Sequence, residues 1–163
     1  MNSVWVCGEY SGTLKDLIHK YKFELKRGAN SDLARLIDQL MPPMNDTVIV
    51  MSVPTATSRV RERGFDHAKL LAQNFASMRG LTYYATLHRS DQHRQLGLGK
   101  IARQKAIKNS FYVKSGNYLN GAHVLLIDDV VTTGASLSEA ARVLKQAGAM
   151  RVDCAVVAQT IIG

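Results

Sequence analysis

The run Val124–Ser136, VLLIDDVVTTGAS, constrains this chain more than any other segment. Four apolar residues lead into two consecutive carboxylates, two valines and a turn of small residues. Leu137, Ala141 and Leu144 then recur at helical spacing. An unbroken apolar run suits a strand buried on both faces, and its passage straight into a helix is the joint of an α/β unit. The strand is expected over His123–Ile127, and Ser136 with Glu139 has capping-box spacing for the helix start. Ligands of open α/β sheets sit beyond the carboxyl ends of the strands. A turn entering a helix N-terminus presents unpaired N–H groups and a partial positive charge of about half a unit, which suits a phosphate. Thr132, Thr133, Gly134, Ala135 and Ser136 form that cradle: three supply hydroxyls, and Gly134 lets the backbone approach without a Cβ. Asp128 and Asp129 would repel a bare phosphate, so they answer something else. Vicinal sugar hydroxyls and a divalent cation both fit. An Asp-Asp pair alone reads as solvated acid at a strand end; in this setting it reads as part of a ribose phosphate site with Mg²⁺ nearby.

The remaining chain supports an α/β fold with a largely parallel sheet. A short strand is expected at Val4–Val6, then a helix with Leu14, Leu17, Ile18, Tyr21 and Leu25 inward and Lys15, His19, Lys22 and Lys26 outward. A second helix runs through Leu33, Leu36, Ile37 and Leu40 and stops at Pro42-Pro43. Thr47–Val53 reads as a buried strand, followed by a cationic loop, Thr55–Gly64. Asp66 caps a helix with Ala68, Leu71, Phe75 and Met78 inward, closed by Gly80. Leu81–Thr86 is an expected strand and His88–Lys100 a long exposed loop of the kind that serves as a lid, with Gly97 and Gly99 as hinges beside Lys100. A short helix at Ile101–Ile107, strands at Ser110–Val113 and Val152–Gln159 and a turn at Gly116–Gly121 complete the reading. Gly97, Gly99 and Ala102 formally satisfy a dinucleotide pattern, but no buried strand precedes them.

With 163 residues, 46% of them hydrophobic, the chain fits one domain with a sizeable core, which excludes disorder as its main state. No apolar stretch is long enough for a membrane-spanning helix. The N-terminus MNSVWVCGEY lacks a secretory pattern, so the cytoplasm is the expected compartment. The two cysteines, Cys7 and Cys154, are far apart, and His88 and His93 lack a third ligand, which argues against a zinc site. Twenty-one basic against thirteen acidic residues give a net charge of +8 and favour polyanionic company. Arg59, Arg61 and Arg63 alternate along the cationic loop, where forked guanidinium contacts suit a pyrophosphate, Arg59 foremost. The lysine stripe of the first helix reads more simply as a solvated face than as a grip on nucleic acid.

Residues 124–136 resemble the phosphoribosyl pyrophosphate (PRPP) signature of type I phosphoribosyltransferases at every position. The wider chain is similar to the ComF family of competence-associated proteins. This rests on Tyr10-Ser11-Gly12 before LKDLIHKYKF, Val53-Pro54, Arg61-Glu62-Arg63-Gly64-Phe65, and the run from Gln95-Leu96-Gly97-Leu98 to Phe111. The resemblance implies a single domain over 1–163, with a five-stranded, mostly parallel sheet flanked by helices, a small hood over about 1–45 and a core over about 46–163. It implies that Asp128 and Asp129 contact ribose hydroxyls, with Mg²⁺ held indirectly, and that Thr132–Ser136 hold the phosphate. Pro54–Arg59, including Thr55, matches the pyrophosphate loop. The implied activity is Mg²⁺-dependent phosphoribosyl transfer with release of pyrophosphate. The alternative is a non-catalytic competence factor that binds single-stranded DNA, using exposed tyrosines such as Tyr112 or Tyr118, and keeps the sugar-phosphate pocket. The oligomeric state stays open, a homo-oligomer being one option. The chain departs from the family at Asp66-His67, where Asn-Gln is usual, at Ala106, where Asn is usual, and in having only Cys7 of a cysteine-rich N-terminal module.

Overall fold

The structure is a computed structural model that describes residues 1–23, 27–90, 109–114 and 117–161. The elements in chain order are β1 (Val4–Glu9), α1 (Gly12–Phe23), α2 (Arg27–Leu40), β2 (Ile49–Ser52), α3 (Thr57–Arg63), α4 (His67–Arg79) and β3 (Thr82–Tyr83). These are followed by β4 (Leu87–Arg89), β5 (Phe111–Val113), a 3₁₀ turn (Asn117–Leu119), β6 (His123–Val131), α5 (Ala135–Gln146) and β7 (Arg151–Gln159). The main sheet has the order β1-β7-β6-β2-β3, and every pairing in it is parallel. This is the expected five-stranded α/β sheet.

Apolar runs explain its centre. Val124–Ile127 and Val152–Ala158 are buried throughout, because helices cover both faces. On one face Ile18 and Tyr21 of α1, Leu33 and Ile37 of α2, and Leu71 and Phe75 of α4 pack on Val50, Leu125, Ile127 and Val157. On the other, Leu137, Ala140, Ala141 and Leu144 of α5 join Leu87 and Phe111 over Met51, Val124, Leu126 and Val156. Residues 1–45, which the resemblance assigns to a hood, supply the edge strand β1 and two helices of the first face. At the amino ends of the strands, buried Asp153 accepts from Ser3 N (3.0 Å), Arg151 Nε (2.7 Å) and His123 Nε2 (2.8 Å), tying three strands together.

Four expectations need correction. The β6 strand continues past Ile127 to Val131, since Val130 and Val131 are β-branched and pair with Ala158 and Gln159. The cationic segment 57–63 is the helix α3, not a loop. Arg59 and Val60 donate to Ala56 O, and Gly64, left-handed at φ 80°, closes it with a bond to Val60 O. The strand expected over Leu81–Thr86 is limited to Thr82–Tyr83. His88 and Arg89 lie not in a loop but in β4, which pairs antiparallel with β5. Gly97, Gly99, Lys100 and the expected helix at 101–107 lie outside the described residues, as do Leu25 and Lys26.

Candidate functional site

The carboxyl end of β6 brings the two aspartates to the rim of the sheet. Successive strand residues turn to opposite faces, and Asp129 follows Leu125 and Ile127 toward the face covered by α1 and α4. There its Oδ2 meets Lys22 Nζ of α1 at 2.6 Å and His67 Nε2 of α4 at 3.0 Å. The cluster is enclosed: side-chain exposure is 15% for Lys22, 5% for His67 and 7% for Asp129. Tyr21, adjacent to Lys22 and buried, donates its hydroxyl to the backbone carbonyl of His67 at 2.6 Å and so fixes α1 to the start of α4. Arg63 Nη1 lies 3.3 Å from both ring nitrogens of His67. The other Asp129 oxygen accepts from Val130 N at 2.6 Å, while Asp128 Oδ1 accepts from Asp129 N at 2.9 Å.

The two carboxyls are therefore unlike. Burial opposes ionisation of Asp129, but the His67 contact and the Lys22 charge outweigh it and hold its pKa well below the usual carboxylate range. Burial, and then the neighbouring Asp129 charge, push Asp128 well above that range. Carboxyl pairs whose environments drive their acidities apart are a recurrent feature of functional sites.

Beyond them, Thr132 and Thr133 are exposed, and Gly134, Ala135 and Ser136 are half-buried among the described residues. Gly134 adopts φ 72°, a left-handed value that an L side chain reaches only under strain, and acts as the N-cap of α5. Ala135 N points to Thr133 Oγ1 at 3.4 Å, a long and weak contact that leaves the first-turn N–H groups for a ligand. The helix thus begins at Ala135, ahead of the expected capping box. Ser136 and Glu139 sit inside its first turns, where Glu139 accepts from Asn109 N (2.6 Å) and pairs with Arg142 (2.7 Å). Ser136 remains half-buried beside the cradle.

After β2, Thr55 donates its hydroxyl to Asp66 Oδ1 at 2.9 Å, and the same oxygen caps α4 through Lys69 N at 3.2 Å. The Thr55 hydroxyl proton is therefore committed to the fold. Arg59 and Arg61 are exposed on α3 and Arg63 half-buried; at helical spacing Arg59 and Arg63 share a face that Arg61 does not.

Lys22, His67 and Tyr21 were not legible as site residues from the chemistry of the signature. Lys22 belongs with Asp129 and not on the outer stripe, where Lys15 and His19 do stand exposed. A signal existed, since Lys22 continues the row Leu14–Ile18 at i+4 spacing, and Ile18 is fully buried. The departure from Asn-Gln to Asp66-His67 was the second.

The donor set does not favour direct binding of Mg²⁺ by the carboxylate pair. Asp129 Oδ2 already faces an ammonium at 2.6 Å and an imidazole at 3.0 Å, and its Oδ1 accepts a backbone amide, whereas Mg²⁺ needs oxygen ligands at about 2.0–2.1 Å in near-octahedral array. Asp128, whose Oδ1 accepts from Asp129 N, has no ion-pair partner of its own among the described residues.

Residues 42–162 match the model of the phosphoribosyl transferase domain. The chain is 32% identical over 158 residues to the DNA utilization protein YhgH of Salmonella typhi, covering 89% of this chain and 66% of that protein's length. It is 28% identical to competence protein F of Haemophilus influenzae, over 91% of this chain and 69% of the relative. Among solved structures, an adenine phosphoribosyltransferase superposes with a TM-score of 0.54 at 14% identity, covering 88% of this chain and 75% of that one. At that identity the likeness bears on the fold. No described helix is long and apolar enough to cross a membrane.

Proposed function

The chain belongs to the phosphoribosyl transferase domain family, and on that premise we propose that it binds a 5-phosphorylated ribose, PRPP or a close relative, at the carboxyl end of its sheet. The observation that carries this reading is the exposed Thr132-Thr133-Gly134 turn. It runs at left-handed Gly134 into α5, directly after two carboxyls of opposed acidity. The phosphate takes the first-turn N–H groups and the hydroxyls of Thr132, Thr133 and Ser136. Asp128 accepts from the ribose hydroxyls. Asp129 acts through Lys22 and His67, holding the end of β6 in place. The pyrophosphate side falls toward Pro54–Arg59, with exposed Arg59 as its cationic partner. In turnover, the electronegative oxygens of the Asp128–Asp129 end of β6 favour the positive charge that builds on the sugar as pyrophosphate departs, which is where stabilisation accelerates a reaction. Calorimetric titration with PRPP tests the binding: saturable heat in the wild type and its loss in Asp128→Asn support the reading. Unchanged binding by that variant defeats the assignment. Pyrophosphate release against a panel of acceptor bases tests the transfer step.

A second reading is favoured by a separate surface. On the β4–β5 ribbon, His88 stacks on Tyr112 at 5.4 Å between ring centroids, and Tyr112 is 48% exposed. Tyr84 stacks on Tyr118 at 4.5 Å, and Arg89 lies over the Phe111 ring. Exposed aromatics beside cations are what a single-stranded nucleic acid stacks on. The names of the similar competence and DNA utilization proteins point the same way. Binding of a labelled single strand that weakens steeply with salt supports this reading; salt-insensitive binding, or none, removes it.

A further inference from the structure

We infer that Lys22 is a built-in cation of the sugar site. It neutralises Asp129 where a divalent metal would otherwise do so, and the sugar phosphate is held without metal. The inference rests on the ribose phosphate reading above and goes beyond it, because it assigns a role to a residue outside the signature.

The argument is geometric. Both oxygens of Asp129 have close partners: Oδ1 accepts from Val130 N at 2.6 Å, and Oδ2 lies in ion-pair contact with Lys22 Nζ at 2.6 Å and His67 Nε2 at 3.0 Å, without an aligned hydrogen bond from either. A divalent metal on Oδ2 would share that oxygen with the ammonium and be repelled by its charge. Lys22 is not a surface residue that happens to swing inward. It lies one turn after fully buried Ile18 and next to Tyr21, whose hydroxyl is bonded to His67 O, and its side chain is itself only 15% exposed. An ammonium brings three donors. Its charge acts on both Asp129 and Asp128. One cation therefore serves both carboxyls. His67 holds the shared oxygen from the α4 side, and Asp128 is the carboxyl left to meet sugar hydroxyls.

The test uses ribose 5-phosphate, which lacks the pyrophosphate that carries metal into such sites, and Mn²⁺ as a paramagnetic substitute for Mg²⁺. The wild type should bind ribose 5-phosphate equally well in EDTA and in Mg²⁺ by calorimetry, and should give no bound-Mn²⁺ signal by electron paramagnetic resonance. Lys22→Met should weaken ribose 5-phosphate in EDTA by about tenfold or more, the loss of one charge-assisted contact. The same variant should gain a Mn²⁺ site at Asp129, relieved of its ammonium, and recover affinity when Mg²⁺ is added. If Lys22→Met does not fold, the charge-balanced double variant Lys22→Met/Asp129→Asn should show the weaker binding with no Mn²⁺ site, and the wild-type arms stand by themselves. Ribose 5-phosphate binding by the wild type that requires Mg²⁺, or a stoichiometric Mn²⁺ site in the wild type, overturns the inference and leaves the ribose phosphate reading intact. Failure of both ribose 5-phosphate and PRPP to bind in either buffer overturns that reading itself.

Discussion

Replacing each rim carboxyl by its amide should move stability in opposite directions. Asp129 is ionised, enclosed and paired with two nitrogen partners at 2.6 and 3.0 Å. Asp129→Asn leaves the Lys22 ammonium, 15% exposed, without its counter-charge. Removing one member of a buried pair costs about 3–5 kcal/mol. At roughly 2–4 °C per kcal/mol for a chain of this length, the melting temperature falls by about 6–20 °C. Asp128 behaves otherwise. Its folded-state pKa is raised, so the folded protein resists ionising it, and that burden grows as pH rises above the ordinary value of 3.8. Asp128→Asn removes the burden and should raise the melting temperature at neutral pH, with the gain vanishing as pH falls toward 4. For Asp129 the folded pKa is lowered, so its contribution is present above 3.8 and is lost as pH drops below that value. Differential scanning calorimetry of the wild type and the two variants between pH 2 and 8 reads both effects. The two residues touch, so the double variant should not equal the sum of the singles. Equal destabilisation by both amides at pH 7 would refute the reasoning, because it would mean that the two carboxyls share one environment.

Gly134→Val places a branched side chain at φ 72°, where its Cβ has room but its backbone is strained. Thermal melts should show a loss of about 1–2 kcal/mol, together with weaker sugar-phosphate binding. Glu139→Ala unties the buried carboxylate from Asn109 N and Arg142, which chemical denaturation should register as about 1–3 kcal/mol. Tyr112→Ala should weaken single-strand binding by about 1–3 kcal/mol in fluorescence anisotropy and leave PRPP binding untouched. Loss of both together would merge the two surfaces.

The elements legible in the sequence are those whose physics is local. Asp66 caps α4 and Gly80 closes it in a left-handed turn, as the chain order of those residues implies. The apolar runs placed β2, β6 and β7, and the small-residue run placed a turn before α5. What stayed hidden depended on distant partners. Segment 57–63 carries alternating arginines that look like an open loop and lacks an apolar period, although bonds to Ala56 O at its start and from Gly64 N to Val60 O at its end make it a helix. Lys22 looks like one more cation on an amphipathic helix until β6 brings Asp129 to it, more than a hundred positions along the chain. His67 is read as a departure from a pattern in sequence, and as a partner of Asp129 only in three dimensions. The short strands β4 and β5 lack the length for a periodic signal and gain their order from each other.

The central claim is that the turn at Thr132–Ser136 grips a sugar phosphate through its backbone. Its most direct test is a titration of ¹⁵N-labelled protein with ribose 5-phosphate, followed amide by amide. The account predicts saturable shifts concentrated at Thr133, Gly134, Ala135 and Ser136, with the Lys22 and His67 region responding at the same concentration. Shifts confined to other surfaces, or an unchanged spectrum at saturating ligand, would contradict it.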